Sequence, residues 1–133
     1  MNLNRGRAFV LAGAVLFAAC ASADAAPADR PIAGQYEVQG RLVGQQQPYK
    51  GIATVERAGA TYKVTWQVGK ERYVGTGLLD GDAFAVIYAA VGATAAPGLV
   101  LYRIQPDGSL LGSYTSMGAQ TIAPEAWLPG RGN

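Results

Sequence analysis

The stretch Thr61–Val68 reads TYKVTWQV and alternates between polar and apolar side chains. Its apolar members, Tyr62, Val64, Trp66 and Val68, share one face of an extended chain, and the residues between them are polar. A period of two, built from β-branched and aromatic residues, is typical of a half-buried strand. The stretch therefore predicts a β-strand with one face in a core.

The same alternation recurs along the chain and predicts a series of short strands. Turn signals separate them, among them Asp80-Gly81, which predicts a two-residue hairpin loop of type I′, and Pro106-Asp107-Gly108. Short links join antiparallel neighbours, because parallel strands need long crossover connections. The other predicted strands are residues 35–42, 50–57, 72–79, 83–89, 98–105, 109–115 and 121–128.

An antiparallel meander of this kind can close into a barrel or split into a sandwich. Closure removes the exposed edge strands. Glycine within a strand weakens it unless the sheet bends there, and barrels use such positions for curvature. We therefore predict an all-β fold, an up-and-down antiparallel β-barrel of about eight strands preceded by a cleaved signal peptide. The glycines inside predicted strands are Gly40, Gly51, Gly75, Gly77 and Gly112.

Residues 1–25 have the features of a secretory signal peptide. Arg5 and Arg7 precede the apolar run Ala8–Ala19, and Ala23-Asp24-Ala25 offers a small-x-small cleavage site. The run is too short for a membrane span, which needs about 20 apolar residues. We assign residues 1–25 to the signal peptide, 26–33 to a linker, 34–129 to the barrel domain and 130–133 to a C-terminal tail, and expect no transmembrane span in the mature chain.

The single cysteine, Cys20, ends the apolar run and leaves a second mode of processing open. Leu16-Phe17-Ala18-Ala19-Cys20 resembles a bacterial lipobox, although Phe17 stands where Leu is usual. Ordinary cleavage predicts a periplasmic or secreted protein. Cleavage before Cys20 predicts an outer-membrane lipoprotein, held to the membrane only by that lipid anchor.

The composition excludes several classes of function. The 133 residues contain no histidine, so Ser-His-Asp catalysis and His-ligated zinc are excluded. The net charge of +2 is too small for a nucleic-acid-binding protein. We expect no cofactor, no metal, no nucleic-acid partner and no enzymatic activity.

A set of glycine, aromatic and turn positions resembles a family of small exported bacterial proteins that are often labelled fibronectin-binding protein-like. The resemblance covers residues 34–128, and Tyr114 stands where related sequences tend to carry Trp. It implies a barrel, similar in layout to avidin-like and lipocalin-like barrels, and brings no catalytic or ligand residues with it. The positions are Gly34-x-Tyr36-x-Val38, Tyr49-x-Gly51, Tyr62-x-Val64-x-Trp66, Val74-Gly75-Thr76-Gly77, Tyr102-Arg103-Ile104, Asp107-Gly108-Ser109-Leu110-x-Gly112 and Glu125.

The inward aromatic residues are the candidate ligand-binding residues. Eight-stranded barrels are either filled by side chains or hold one small ligand. These rings therefore predict either a cavity for a small apolar ligand or a packed interior in which rings cover strand glycines. The candidates are Tyr36, Tyr62, Trp66, Tyr73, Tyr88, Tyr102 and Tyr114.

Two further features leave alternatives open. Glu125 lies in an apolar segment and is either a buried carboxylate, paired for example with Arg103, an exposed residue, or an acid in a cleft. Residues 45–48 and 93–97 are either recognition loops or passive linkers. The overall prediction is an exported, non-enzymatic barrel that binds a small apolar ligand or an extracellular protein. The alternatives are a carboxylate-dependent hydrolase and a purely structural envelope component.

Overall fold

The computed structural model describes residues 31–130, which form eight antiparallel strands. Each strand pairs with its neighbours in sequence, and β8 pairs with β1, so the sheet is a closed up-and-down barrel. The predicted all-β barrel is therefore confirmed. The strands are β1 (Gly34–Arg41), β2 (Pro48–Ala58), β3 (Thr61–Val68), β4 (Glu71–Asp80), β5 (Ala83–Ala90), β6 (Gly98–Ile104), β7 (Leu110–Ser116) and β8 (Ala123–Pro129).

The predicted signal peptide, residues 1–25, and the candidate lipid anchor Cys20 lie outside the described residues. So do most of the predicted linker and the last three residues of the predicted tail. No helix in the described part of the chain is long and apolar enough to cross a lipid bilayer.

The hairpin between β4 and β5 corrects one detail of the predicted turn. Asp80 pairs with Ala83, so the two-residue loop is Gly81-Asp82 and not Asp80-Gly81. Among the described residues positive φ occurs only at glycines, and Gly81 has φ 60°. A positive φ at the first loop position alone is the pattern of a type II′ turn, not of the predicted type I′. Glycine takes this position because it has no Cβ to clash there.

The alternation along each strand separates the interior of the barrel from its surface. In β3, Tyr62, Val64 and Trp66 are buried, and the residues between them are exposed or partly exposed. In β6 the same alternation buries Val100 and Tyr102. Successive side chains of a strand point to opposite faces of the sheet, so these residues line one continuous core.

The two ends of the barrel differ in their connections. The closed end carries the links β2–β3, β4–β5 and β6–β7 and the start of β1, and Ile32 is 2% exposed there. The Tyr36 hydroxyl donates to the Ile32 carbonyl at 2.8 Å. The open end carries the links β1–β2, β3–β4, β5–β6 and β7–β8, which include the longer loops of the chain.

Candidate ligand-binding site

A cavity of about 130 Å³ lies inside the barrel at its open end. Leu42, Val68 and Val100 supply aliphatic surface to it, and Glu71 and Glu125 supply carboxylates. The rest of the described lining is aromatic. These residues are Tyr49, Trp66, Tyr73, Tyr88, Tyr102 and Tyr114.

Two of the tyrosines are seated on glycines directly across the sheet. Tyr49 of β2 pairs with Gly40 of β1, and Tyr88 of β5 pairs with Gly98 of β6. A Cβ added at Gly40 or at Gly98 would overlap the ring of the paired tyrosine. The glycines therefore provide the space in which these rings lie flat against the barrel wall, a device that also covers bare backbone.

The rings at the open end contact one another around Tyr88. Its centroid lies 5.8 Å from that of Trp66, 6.2 Å from that of Tyr73 and 6.4 Å from that of Tyr114. Tyr49 contacts Tyr114 edge to face at 6.4 Å. These separations lie within the range in which aromatic pairs attract one another, so the rings form one connected wall.

Glu125 lies at the floor of the cavity and is 8% exposed. Its Oε1 accepts hydrogen bonds from Tyr102 Oη at 2.5 Å, Trp127 Nε1 at 2.7 Å and Trp66 Nε1 at 3.2 Å. Its Oε2 accepts from the Tyr49 hydroxyl. Hydrogen bonds to an ionised acceptor are stronger than neutral ones, so four donors offset much of the cost of burying this carboxylate.

The suggested pairing of Glu125 with Arg103 is wrong. Arg103 lies between Tyr102 and Ile104 on β6, and because these two residues point inward, Arg103 points outward. Its Nη1 lies 3.0 Å from Asp82 Oδ1 on the barrel surface. The partners of Glu125 are uncharged hydroxyl and indole groups instead.

The other tyrosine hydroxyls at the open end also donate to protein acceptors. Tyr73 donates to Glu71 Oε2 at 2.5 Å, Tyr88 to the Thr115 carbonyl at 3.2 Å, and Tyr114 to the Arg41 carbonyl. All buried side-chain nitrogen and oxygen atoms in the described part of the chain have a hydrogen-bond partner. The polar groups of the cavity therefore form a completed network.

Burial raises the pKa values of these tyrosines. It raises the pKa of Tyr73 to about 12, with help from the hydrogen bond to Glu71. Burial first, and then electrostatic interaction with Tyr114 and Glu125, raise the pKa of Tyr88 to about 12. Burial first, and then the negative charge of Glu125, raise the pKa values of Tyr49 and Tyr102 well above that of a free tyrosine. At neutral pH the phenols therefore keep their protons and act as donors.

The structure divides the seven candidate ligand-binding residues between the two ends. Trp66, Tyr73, Tyr88, Tyr102 and Tyr114 line the cavity. Tyr36 and Tyr62 belong to the packed closed end, where Tyr36 contacts Trp127 at 5.4 Å and Tyr62 contacts Phe84 at 5.7 Å.

Tyr49 and Glu125 line the cavity but were absent from the candidate set. Both carry a sequence signal that places them inside. Tyr49 shares its strand face with Gly51 and Ala53, and Glu125 shares its face with Ala123 and Trp127. A period-two alignment of β2 and β8 would therefore have added both residues.

Of the two candidate recognition loops, only the β1–β2 link carries a residue of the described cavity lining. Leu42, at the start of the β1–β2 link, lines the cavity and is 41% exposed. The 45–48 and 93–97 segments belong to the β1–β2 and β5–β6 links of the open end, although Pro48 already begins β2.

A comparison with models of known protein families and with curated proteins finds no match to this chain. The resemblance to fibronectin-binding protein-like proteins therefore stays a prediction. Within residues 31–130, no group of three or more Asp, Glu, Cys or His side chains is arranged to hold a metal ion.

Proposed function

We propose that this chain is an exported, non-enzymatic β-barrel that binds a small ligand with an apolar body in the cavity at its open end. The observation that carries the proposal is the cavity itself. It combines aromatic and aliphatic walls with one convergent polar cluster at Glu125. Ligand sites in proteins have this composition, in which apolar walls provide area and a few polar groups set orientation.

The size of the cavity limits the ligand. Its volume of about 130 Å³ is close to that of engineered apolar cavities of roughly 150 Å³ that accept benzene. A single ring or a short alkyl chain therefore fits inside, and any larger part of a ligand extends through the mouth between the loops. The predicted signal peptide supports a location outside the cytoplasm, either periplasmic or secreted, or held to the outer membrane through Cys20.

The test uses small ring compounds and a variant that fills the mouth. Benzyl alcohol and benzylamine are titrated into the purified protein by calorimetry. Leu42→Trp places an indole at the cavity mouth and should abolish binding of whichever probe binds. Leu128→Trp is the matched control, because Leu128 is 39% exposed on the outer face of β8, away from the cavity.

Binding that is lost in Leu42→Trp and kept in Leu128→Trp supports a ligand site in the barrel. Both substitutions are at exposed positions and should change the free energy of unfolding by no more than about 0.5 kcal/mol. If neither probe binds, or if binding survives in Leu42→Trp, the proposed function is wrong.

A carboxylate-dependent hydrolase is the second candidate, because Glu71 and Glu125 line the same cavity. Two facing carboxylates are what glycoside hydrolysis requires. Binding is favoured over hydrolysis because both oxygens of Glu125 already accept hydrogen bonds from four fixed donors. This arrangement suits a carboxylate that accepts hydrogen bonds, whereas glycoside hydrolysis needs one of the two carboxyl groups to donate a proton. Release of nitrophenol from nitrophenyl glycosides that is lost in Glu71→Gln would reverse this preference.

A further inference from the structure

The polar groups of the cavity have no side-chain proton left to offer a ligand. Tyr49 and Tyr102 donate to Glu125, and Tyr73, Tyr88 and Tyr114 donate to Glu71 and to two backbone carbonyls. The Trp66 indole N–H is also directed to Glu125. A phenol has one donor and two acceptor lone pairs, so what remains exposed to a ligand is acceptor capacity.

The charges that line the cavity also favour a ligand that donates hydrogen bonds, and in particular a cation. Its described lining includes two carboxylates, Glu71 and Glu125, and no Lys or Arg. Arg41, at the end of β1, directs its guanidinium to Gln46 in the neighbouring loop at 2.7 Å, and Arg103 pairs with Asp82 on the surface. An anionic ligand would therefore meet like charge and no uncommitted side-chain donor in the described lining, whereas a cation would meet the opposite charge.

The aromatic walls add a third, independent preference. Trp66 and the five tyrosines around the cavity present rings whose faces carry partial negative charge. A cation within about 6 Å of such a ring centroid is attracted to it, and boxes of several rings recognise ammonium groups in this way.

We propose that the ligand of this cavity is a small organic ammonium ion, with its cationic head beside Glu125 and its apolar body against the rings. This inference rests on the proposed function and names the chemical class of its ligand. The head donates to the carboxylate and to phenol lone pairs, which are the acceptors that the protein's own donors leave available. The cavity volume of about 130 Å³ suits a head group with one ring or a short alkyl chain.

The test holds ligand shape constant and varies charge. Benzylamine, benzyl alcohol and benzoate form one series at neutral pH, and butylamine, 1-butanol and butyrate form a second. Calorimetric titration of the purified protein should give an affinity for each amine at least about tenfold above that for the alcohol, since one added charge-assisted hydrogen bond has an effect of this order. The carboxylates should not bind.

Variants of the two glutamates locate the effect. Glu125→Gln should lower amine affinity by at least about tenfold and alcohol affinity by clearly less, because only the amine loses a charge-assisted hydrogen bond. Because Glu125 accepts four hydrogen bonds in the core, this variant is used only if its thermal unfolding transition remains cooperative. Glu71→Gln, at an exposed position on the rim, is the second variant and should lower amine affinity by about threefold, as expected of an exposed charge pair. Glu37→Gln, an exposed glutamate on the outer face of β1, is the control and should change nothing.

The outcomes separate this inference from the proposed function. If the alcohols bind as tightly as the amines at a site that Leu42→Trp blocks, the barrel is a ligand-binding protein but its ligand is not selected as a cation. Amine affinity that is unchanged in both glutamate variants would also overturn the ammonium assignment. If no member of either series binds, the proposed function itself fails.

Discussion

The two ends of the barrel both contain clustered aromatic rings, but the closed end is packed and the open end encloses a cavity. At the closed end Trp127 is 0% exposed and contacts Tyr36, Phe84 and Tyr102 at centroid distances of 4.5 to 6.4 Å. At the open end Tyr88 contacts Trp66, Tyr73 and Tyr114 at similar distances, yet a cavity remains. Aromatic content alone therefore does not decide whether a barrel interior is filled.

The difference lies in what surrounds the rings. The closed end adds Ile32, Ile104 and Leu110, aliphatic side chains that fill the gaps between rings. The open end instead has phenol hydroxyls that donate to the backbone carbonyls of Arg41 and Thr115, near strand ends, and to the carboxylates of Glu71 and Glu125. Directional hydrogen bonds fix the positions of these rings around the cavity, whereas apolar contacts at the closed end have no direction and favour close packing.

Removal of the ring at the centre of the closed end should have the largest effect. Trp127→Ala leaves a cavity in the packed core and removes one donor to Glu125, so the free energy of unfolding should fall by about 4 kcal/mol. Urea unfolding followed by circular dichroism measures this loss. A loss below about 1 kcal/mol would show that the closed end is not the packed half of the barrel.

A methyl group at Gly98 should have the next largest effect, because it overlaps the Tyr88 ring at the open end. Overpacking of this kind costs about 2 kcal/mol. The matched control is the same substitution in a Tyr88→Ala background, where the ring is gone and Gly98→Ala should cost much less. Urea unfolding of the four proteins in this double-mutant cycle measures both costs. If Gly98→Ala lowers the free energy of unfolding equally with and without the Tyr88 ring, the ring is not seated on this glycine.

A matched pair of hydroxyl deletions compares the two ends directly. Tyr36 donates to the Ile32 carbonyl at the closed end, and Tyr114 donates to the Arg41 carbonyl at the open end. Tyr36→Phe should lower the free energy of unfolding by about 1.5 kcal/mol, because the acceptor is left without water. Tyr114→Phe should cost about 0.5 kcal/mol or less, since water can replace the hydroxyl. Equal losses would mean that both ends exclude water equally.

The smallest effect concerns pH. The pKa values of Tyr73 and Tyr88 are about 12, above the value of 10.0 for a free tyrosine. As pH rises from 10 toward 12, the unfolded chain loses these protons first, so the stabilisation that is complete below pH 10 is lost. Because both side chains are partly solvated, each should contribute no more than about 1 kcal/mol.

Near-ultraviolet absorbance of phenolate against pH, together with urea unfolding at each pH, measures this change. Tyr73→Phe and Tyr88→Phe should each make the alkaline fall in stability shallower. Ionisation of both residues near pH 10 would show that the open end does not shield them from solvent.

Local patterns in the sequence were sufficient to predict the barrel fold. Alternation in Thr61–Val68 and its counterparts, with glycine-containing turns between them, predicts the strands and their antiparallel order. Strand ends differ from the predictions by one or two residues, as at β8, which begins at Ala123 and not at residue 121. The two-residue shift at β8 reflects the weak turn signal before it, in Met117-Gly118-Ala119.

The hydrogen-bond partners of Glu125 could not be predicted from the sequence. Alternation places Tyr49, Tyr102 and Trp66 on inward faces of three different strands, but it says nothing about their heights along the barrel axis. Those heights depend on the stagger between strands, which is set by pairings such as Gly40 with Tyr49 and Gly112 with Glu125. Only that stagger brings the donors to one carboxylate.

The sequence by itself determined which residues face inward, because side-chain direction along a strand has a period of two and is a local property. It also determined that no imidazole chemistry is available, since the chain contains no histidine. The tertiary structure decided which inward residues lie at the same height along the barrel axis. It thereby decided which rings pack around Trp127 and which enclose a cavity around Glu125. That division depends on the register of strands distant in the chain, which is a property of the closed sheet as a whole.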